Sequence, residues 1–240
     1  MLNKLVLAVI PARSGSKSIP RKNLQKIHNI SLTKYALFSA QLNNLITHIA
    51  LSSDSDEILN ELNSFQETNF IRIKRPKELS TDESPDQPVL VHALNYTENF
   101  FNTKFDAVVM LQPTSPLRPQ NDLNKCINNV LINEADSSWS VNEIPIRYHY
   151  KKQFEIINNK LVIATSDGHV PRRQDLENTY HRNGVCYVYK RSVVFEDSIL
   201  MGTKCAPVIS KIRTLDIDNY EDLDDIEGLT LVESNQLRWK

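Results

Sequence analysis

The sequence predicts an α/β domain built on a largely parallel sheet, and three observations carry that expectation. Leu5 to Ile10 and Ala107 to Leu111 are continuous apolar runs bounded by turn residues, the pattern of strands buried on both faces. Segments of helical periodicity lie between the strand candidates, so successive strands are joined by crossovers long enough to return the chain in parallel, with right-handed connections. A chain of 240 residues, 40% hydrophobic, suits one large domain or one domain with a small appendage.

The elements follow in order. Leu5 to Ile10 ends at Pro11 and opens the chain inside the core. Leu32, Tyr35, Ala36, Phe38, Ser39 and Leu42 share a helical face behind a cap at Ser31. Ile46 to Leu51 reads as the second strand, and Ser53-Asp54 as the cap of a helix over Ile58, Leu59 and Leu62. Phe70 to Ile73 is a strand, Pro88 to Tyr96 a helix, and Ala107 to Leu111 a strand that runs into Gln112-Pro113-Thr114-Ser115-Pro116. From about Glu143 to Tyr180 the rhythm breaks into an insertion holding a short strand at Phe154 to Ile157 and the segment Pro171 to Asp175. Val185 to Tyr189 is a strand, and an acidic helix is expected from Asn219 to Gln236.

Composition narrows the function classes. With 28 Lys plus Arg against 29 Asp plus Glu, the chain lacks the basic excess of a nucleic-acid backbone binder, so partners are recognised locally. Cys126, Cys186 and Cys205 are far apart and odd in number, which argues against a disulfide framework and fits a reducing cytoplasm. The apolar run at the start is too short for a secretory signal, and no stretch reaches the ~20 apolar residues of a membrane span, so neither membrane nor nucleic acid is an expected partner. The six histidines show no metal-ligand spacing.

In such sheets ligands gather beyond the carboxyl ends of the strands, which directs attention to the loops starting at Pro11 and Gln112. The first places Arg13, Lys17, Arg21 and Lys22 within ten residues and no acid among them, a composition suited to an anion. Gly15 and the serines can bring backbone and hydroxyl donors to phosphate oxygens. The loop is neither a Walker loop nor a Gly-x-Gly-x-x-Gly fingerprint. Near the other end, Thr214 to Glu227 is acidic and without a base. In an extended segment residues two apart face one side, so Asp216 and Asp218 can direct both carboxylates at one Mg²⁺ while Leu215 and Ile217 turn inward. Glu221 and Asp222 read instead as acids of a helix N-terminus.

The first loop resembles the signature of the acylneuraminate cytidylyltransferases, the CMP-sialic acid synthetases, and of relatives that activate other nonulosonic acids with CTP. Also similar to that family, in order along the chain, are Asp54, Arg75-Pro76-Lys77-Glu78-Leu79-Ser80-Thr81-Asp82, Leu111 to Arg118, Arg173-Gln174-Asp175-Leu176, Asn183-Gly184 and Asp216-Ile217-Asp218. Where members commonly carry glycine, this chain has Ser14 and Ser18. The resemblance implies a three-layer Rossmann-like nucleotidyltransferase fold with a mostly parallel mixed sheet. Residues 1–240 would form one domain, with 143–180 as an inserted dimerisation and substrate-lid arm.

It further implies a Mg²⁺-dependent, cytoplasmic, homodimeric enzyme that converts CTP and a nonulosonic sugar acid into a CMP-sugar and pyrophosphate. Arg13, Lys17, Lys22 and Asp218 would be catalytic, with Asp216 and Asp218 on the metal. Ala12, Arg13, Ser14, Gly15, Ser16, Asn23, Arg75, Ser80 and Thr81 would hold the nucleotide. Gln112, Pro113, Thr114, Ser115, Lys151, Arg173 and Gln174 would face the sugar, Lys151 from a neighbouring subunit. Two alternatives stay open on the residues alone: a glycosyltransferase using Asp-x-Asp, and a non-catalytic nucleotide-binding module.

Overall fold

The computed structural model describes residues 4–165, 172–212 and 214–233. Strand β1 (Val6–Pro11) is fully buried from Val6 to Ile10. The cationic loop follows, then a tight turn at Lys22–Leu24 and a small ladder of β2 (Lys26–Ile27) with β3 (Ile30–Ser31). Ser31 caps α1 (Leu32–Gln41) as expected, its hydroxyl accepting from the Lys34 amide at 3.3 Å.

Strand β4 (His48–Ser53) lies two residues later than the sequence suggests. Ser52 and Ser53, the latter expected to cap the next helix, continue the strand fully buried. The cap of α2 (Asp56–Asn60) is therefore Ser55, whose hydroxyl accepts from the Ile58 amide at 3.4 Å, and not Ser53-Asp54. Next come β5 (Phe70–Lys74), α3 (Asp86–Phe101) and β6 (Ala107–Met110).

The helix α4 (Gln120–Leu131) and the strand β7 (Ser137–Glu143) are elements the sequence reading did not resolve. The hairpin β8 (Phe154–Ile157) and β9 (Lys160–Ile163) turns on Asn158 and Asn159, both at positive φ (51° and 59°), the conformation of a two-residue type I′ turn. Strand β10 (Tyr180–Lys190) is longer than expected, and α5 (Arg191–Glu196), β11 (Cys205–Ile209) and α6 (Tyr220–Glu233) complete the chain. Pro171 and residues 234–236 of the expected last helix lie outside the described residues.

Seven strands form one sheet in the order β11-β7-β10-β6-β1-β4-β5, with β10 antiparallel to both neighbours and the other pairings parallel. Alternate residues of β1 face opposite layers. Val6, Ala8 and Ile10 pack with α1, α2 and α4, whereas Leu7 and Val9 pack with α3 and α5. The sheet is thus the middle of three layers. A third, smaller core of Ile19, Ile27, Leu32, Tyr35, Leu117, Ile217 and Ile226 sits beside the sheet, and its members interrupt the functional segments. None of the helices among the described residues is long and apolar enough to cross a membrane.

Far from these loops, Asp136 fastens the start of β7 to the chain before β11. Its carboxylate accepts from the Thr203 amide and hydroxyl, the Lys204 amide and Lys190 Nζ, and these bonds, led by the Thr203 hydroxyl and Lys190, lower its pKa from 3.8 to about 2. Because the folded value is the lower one, its contribution is complete above the unfolded pKa and disappears as pH falls through the folded one. We expect Asp136→Asn to lower the denaturation midpoint at neutral pH, and the gap from wild type to narrow between pH 3.8 and about 2. Denaturant titrations across that range check it; a gap independent of pH would refute the assignment.

Candidate active site

The loops that leave β1, β5 and β6 surround a cleft of about 220 Å³. Its lining includes Arg13, Gly15, Ser16, Lys22, Asn23, Arg75, Thr81, Gln112, Pro113 and Thr114, ten residues that the sequence singles out from three separate segments.

The first loop is held by the sheet at one end and by a side chain at the other. Ala12 is fully buried and its amide donates to Ser52 O at 2.9 Å, one step past the strand. Asn23 Nδ2 donates to Arg13 O at 2.8 Å, and Thr33 Oγ1 to Asn23 O at 2.8 Å, so the loop closes on itself. Ser14 donates twice to Asp54, from its amide at 2.8 Å and its hydroxyl at 2.5 Å. Burial alone would raise the Asp54 carboxyl, but these bonds outweigh it and the pKa lies below the usual value. Neither Ser14 nor Ser18 has a positive φ, so serine carries no steric penalty at either position.

The four cations meet acids from elsewhere in the chain. Arg13 and Lys17 both pair with Asp82, the latter at 3.1 Å, and these two bonds depress the Asp82 carboxyl. Arg21 pairs with Glu57. Lys22 Nζ, its side chain only 12% exposed, donates to Ile217 O at 2.8 Å and to Asp218 Oδ1 at 3.1 Å.

The acidic segment docks on the loop after β6. The Ile217 amide donates to Thr114 O at 2.9 Å, and Ile217 is fully buried between the two aspartates, as strand-like alternation requires. Asp216 is exposed as a residue but turns its carboxyl toward Ser115, whose hydroxyl donates to Oδ1 at 3.2 Å. Burial of that carboxyl raises its pKa, and the nearby charge of Asp218 adds to the rise. Asn219 and Asp222 form a reciprocal cap: Asp222 N donates to Asn219 Oδ1 at 3.0 Å, while Asp222 Oδ2 accepts from the amides of Asp218 and Asn219. Two carboxylates in mutual repulsion, with hard oxygen donors and no third acid or histidine grouped with them among the described residues, fit Mg²⁺, which keeps positions for phosphate oxygens and water.

Beneath the rim, Arg118 is buried and donates to Val185 O and, at 2.8 Å, to Gln112 O, tying the Gln112 loop to β10; burial lowers its pKa to about 10. Gly184 is at φ +72°, in the irregular stretch of β10, and an added Cβ would run into Ser115 Oγ. Arg75 is buried too, with Nε donating to Ser80 Oγ at 3.1 Å.

Three expected sugar-side residues stand apart from this cleft. Lys151 lies in a turn at Tyr150–Lys152, and Arg173 and Gln174 in an exposed turn at Arg173–Asp175. Arg173 lines a separate depression with Glu143, Ile146, Arg147 and Lys152. Conversely, Asp86 lines the cleft, and Asp54 grips its loop, without having been assigned to the site, while Asp82, expected with Ser80 and Thr81 beside the base and ribose, lines the cleft and pairs with Arg13 and Lys17. Asp54 and Asp82 lie in recognised segments; what hid their pairings was that the partners are 40 and 69 residues distant.

A cytidylyltransferase family model matches residues 7–239. The chain is 31% identical over 226 residues to the CMP-N,N'-diacetyllegionaminic acid synthase of Campylobacter jejuni subsp. jejuni serotype O:2, covering 93% of this chain and 94% of the relative. It is 29% identical over 221 residues to the pseudaminic acid cytidylyltransferase of serotype O:23/36 of that subspecies, covering 91% and 93%. The structure of CMP:2-keto-3-deoxy-manno-octonic acid synthetase complexed with CTP superposes with a TM-score of 0.69 at 16% identity, covering 96% of this chain and 100% of that one. That likeness shows the Rossmann-like nucleotidyltransferase fold. With the match running from the first strand to beyond the last helix, through every loop of the cleft, the chain belongs to the cytidylyltransferase family.

Proposed function

We propose that this protein is a Mg²⁺-dependent enzyme that activates a nonulosonic sugar acid with CTP, releasing pyrophosphate. The observation that supports the reading is the bond from Lys22, which lines the cleft, to Ile217 O and Asp218, which ties the acidic segment to the cationic loop. Of the readings left open by the sequence, nucleotidyl transfer is the one that the family and the names of its relatives support.

In this reaction the anomeric hydroxyl oxygen of the sugar acid bonds to the α-phosphorus of CTP, the bond from that phosphorus to the β-phosphate oxygen breaks so that pyrophosphate leaves with that oxygen, and the hydroxyl proton passes to solvent. No covalent enzyme intermediate is required, so the protein's work is positioning and charge stabilisation. Arg13, Lys17 and Lys22 offset negative charge growing on the departing pyrophosphate. Their exchange of Asp82 and Asp218 for phosphate oxygens leaves the loop's backbone clips in place. Ala12 to Ser16 and Asn23 border the phosphates, while Arg75, Ser80 and Thr81 border the base and ribose. Gln112 to Ser115 orient the sugar acid. Asp216 and Asp218 would hold Mg²⁺, which would supply neutralisation of phosphate charge.

The assembly belongs to the same proposal. The hairpin of β8 and β9 exposes Ile156 at 76% and Leu161 at 68%, beside exposed Phe154 and Ile157. An apolar patch of that kind is covered in use. A second copy of the chain covers it in a homodimer, where Lys151 serves the neighbouring cleft. The proposed location is the cytoplasm, where CTP is made.

A coupled pyrophosphate assay with CTP, Mg²⁺ and a panel of legionaminic, pseudaminic and sialic acids tests the reaction; absence of pyrophosphate with all of them refutes it. We expect Arg13→Ala and Asp218→Ala each to lower turnover on the order of 10²-fold, and wild-type rates in both would overturn their roles. Gly184→Ala should reduce turnover at least as much as Ser115→Ala, because it displaces the Ser115 hydroxyl from Asp216. Sedimentation should show the double variant Ile156→Asp, Leu161→Asp as a monomer with impaired turnover, and an unchanged mass would argue against the arm.

A further inference from the structure

Arg182 is an exposed cation with the fixed posture of a buried one. Its guanidinium carbon lies 4.9 Å from the centre of the Trp139 ring and 4.6 Å from that of Tyr187, two rings packed edge to face. A free arginine on a surface loses rotamer entropy on binding an anion, whereas one already stacked on aromatic faces loses little. The side chain remains 49% exposed, and its nearest acid, Asp86, is 3.8 Å away, beyond hydrogen-bonding reach, so donors of the fork are left over.

Its position relates it to the sugar side of the cleft. Asp86 lines that cleft. Arg182 is two residues before Gly184, which abuts Ser115, and its strand is tied to Gln112 through Arg118. Arg13 and Lys17 are engaged with Asp82 and Lys22 with Asp218, on the triphosphate side. A planar fork beside a counter-ion held at arm's length is suited to a carboxylate that binds both oxygens.

We propose that Arg182 is a specificity-determining residue that binds the carboxylate of the sugar acid from within the same chain, with Trp139 and Tyr187 as its mount. This rests on the reaction proposed above. The test is steady-state kinetics of wild type, Arg182→Gln and Arg182→Lys with CTP and the acid that the wild type turns over. Arg182→Gln should raise KM for the acid by about tenfold or more and leave KM for CTP within about twofold, because a charge-assisted bidentate contact is lost from one substrate only. Arg182→Lys should fall between, restoring charge without the fork, and melting temperatures should match.

A KM for the acid unchanged in Arg182→Gln, or both KM values rising together with a lowered melting temperature, would overturn the assignment and mark Arg182 as a brace of the sheet. A wild type that releases no pyrophosphate with any of the acids would instead overturn the underlying reaction, and the two failures are separate results.

Discussion

The site depends on a small apolar core that the main sheet does not provide. Ile19 lies within the cationic loop, Leu117 within the loop after β6, and Ile217 between the two aspartates, and all three pack together beside Leu32 and Ile226. Each segment is mostly polar, so burying one aliphatic residue from each is what brings three distant stretches of sequence to one place. At roughly 1.5 to 3 kcal/mol for a fully buried aliphatic side chain, these anchors outweigh the exposed ion pairs around them, worth about 0 to 1 kcal/mol each. The bond from Lys22 to Ile217 O then fixes the register across 195 residues of separation.

The parallel half of the fold was legible because buried strands are written as aliphatic runs. β1 and β6 needed no other signal, and Ser31 announced α1 by capping chemistry. The opposite half was written in another manner. β7 reads Ser137-Ser138-Trp139-Ser140-Val141-Asn142-Glu143, a composition typical of a loop, although Ser137, Ser138 and Ser140 are fully buried. α4 carries four asparagines, poor helix formers, and declares itself only through the spacing of Leu123, Cys126, Ile127 and Val130. The reversed direction of β10 could not be read from its own residues, since an apolar strand looks alike in either sense.

Of the cleft, the sequence conveyed its chemistry better than its pairing. Local composition displayed four cations without an acid; the fold supplies Asp82, Glu57 and Asp218 from sites 36 to 196 residues away. Long-range partners of this kind leave no trace in local spacing. Ser14 is instructive in the other direction: where glycine is common in the resembling loops, its hydroxyl here gains a second bond to Asp54, so the substitution adds a fastening and asks for no unusual backbone angle.

The serine-built strand has a consequence for how the protein tolerates change. Ser137 Oγ donates to Met201 O at 2.6 Å, Ser138 Oγ to Ala206 O at 2.8 Å, and Ser140 Oγ accepts from the Cys186 amide at 2.9 Å. An aliphatic residue of β1 can exchange for another of like volume at modest cost, but a hydroxyl here has no isostere: alanine strands a buried partner and valine overfills the layer. Sequence drift is therefore expected to be freer under the parallel strands than along β7, the reverse of what a rule equating polar residues with permissive positions would suggest.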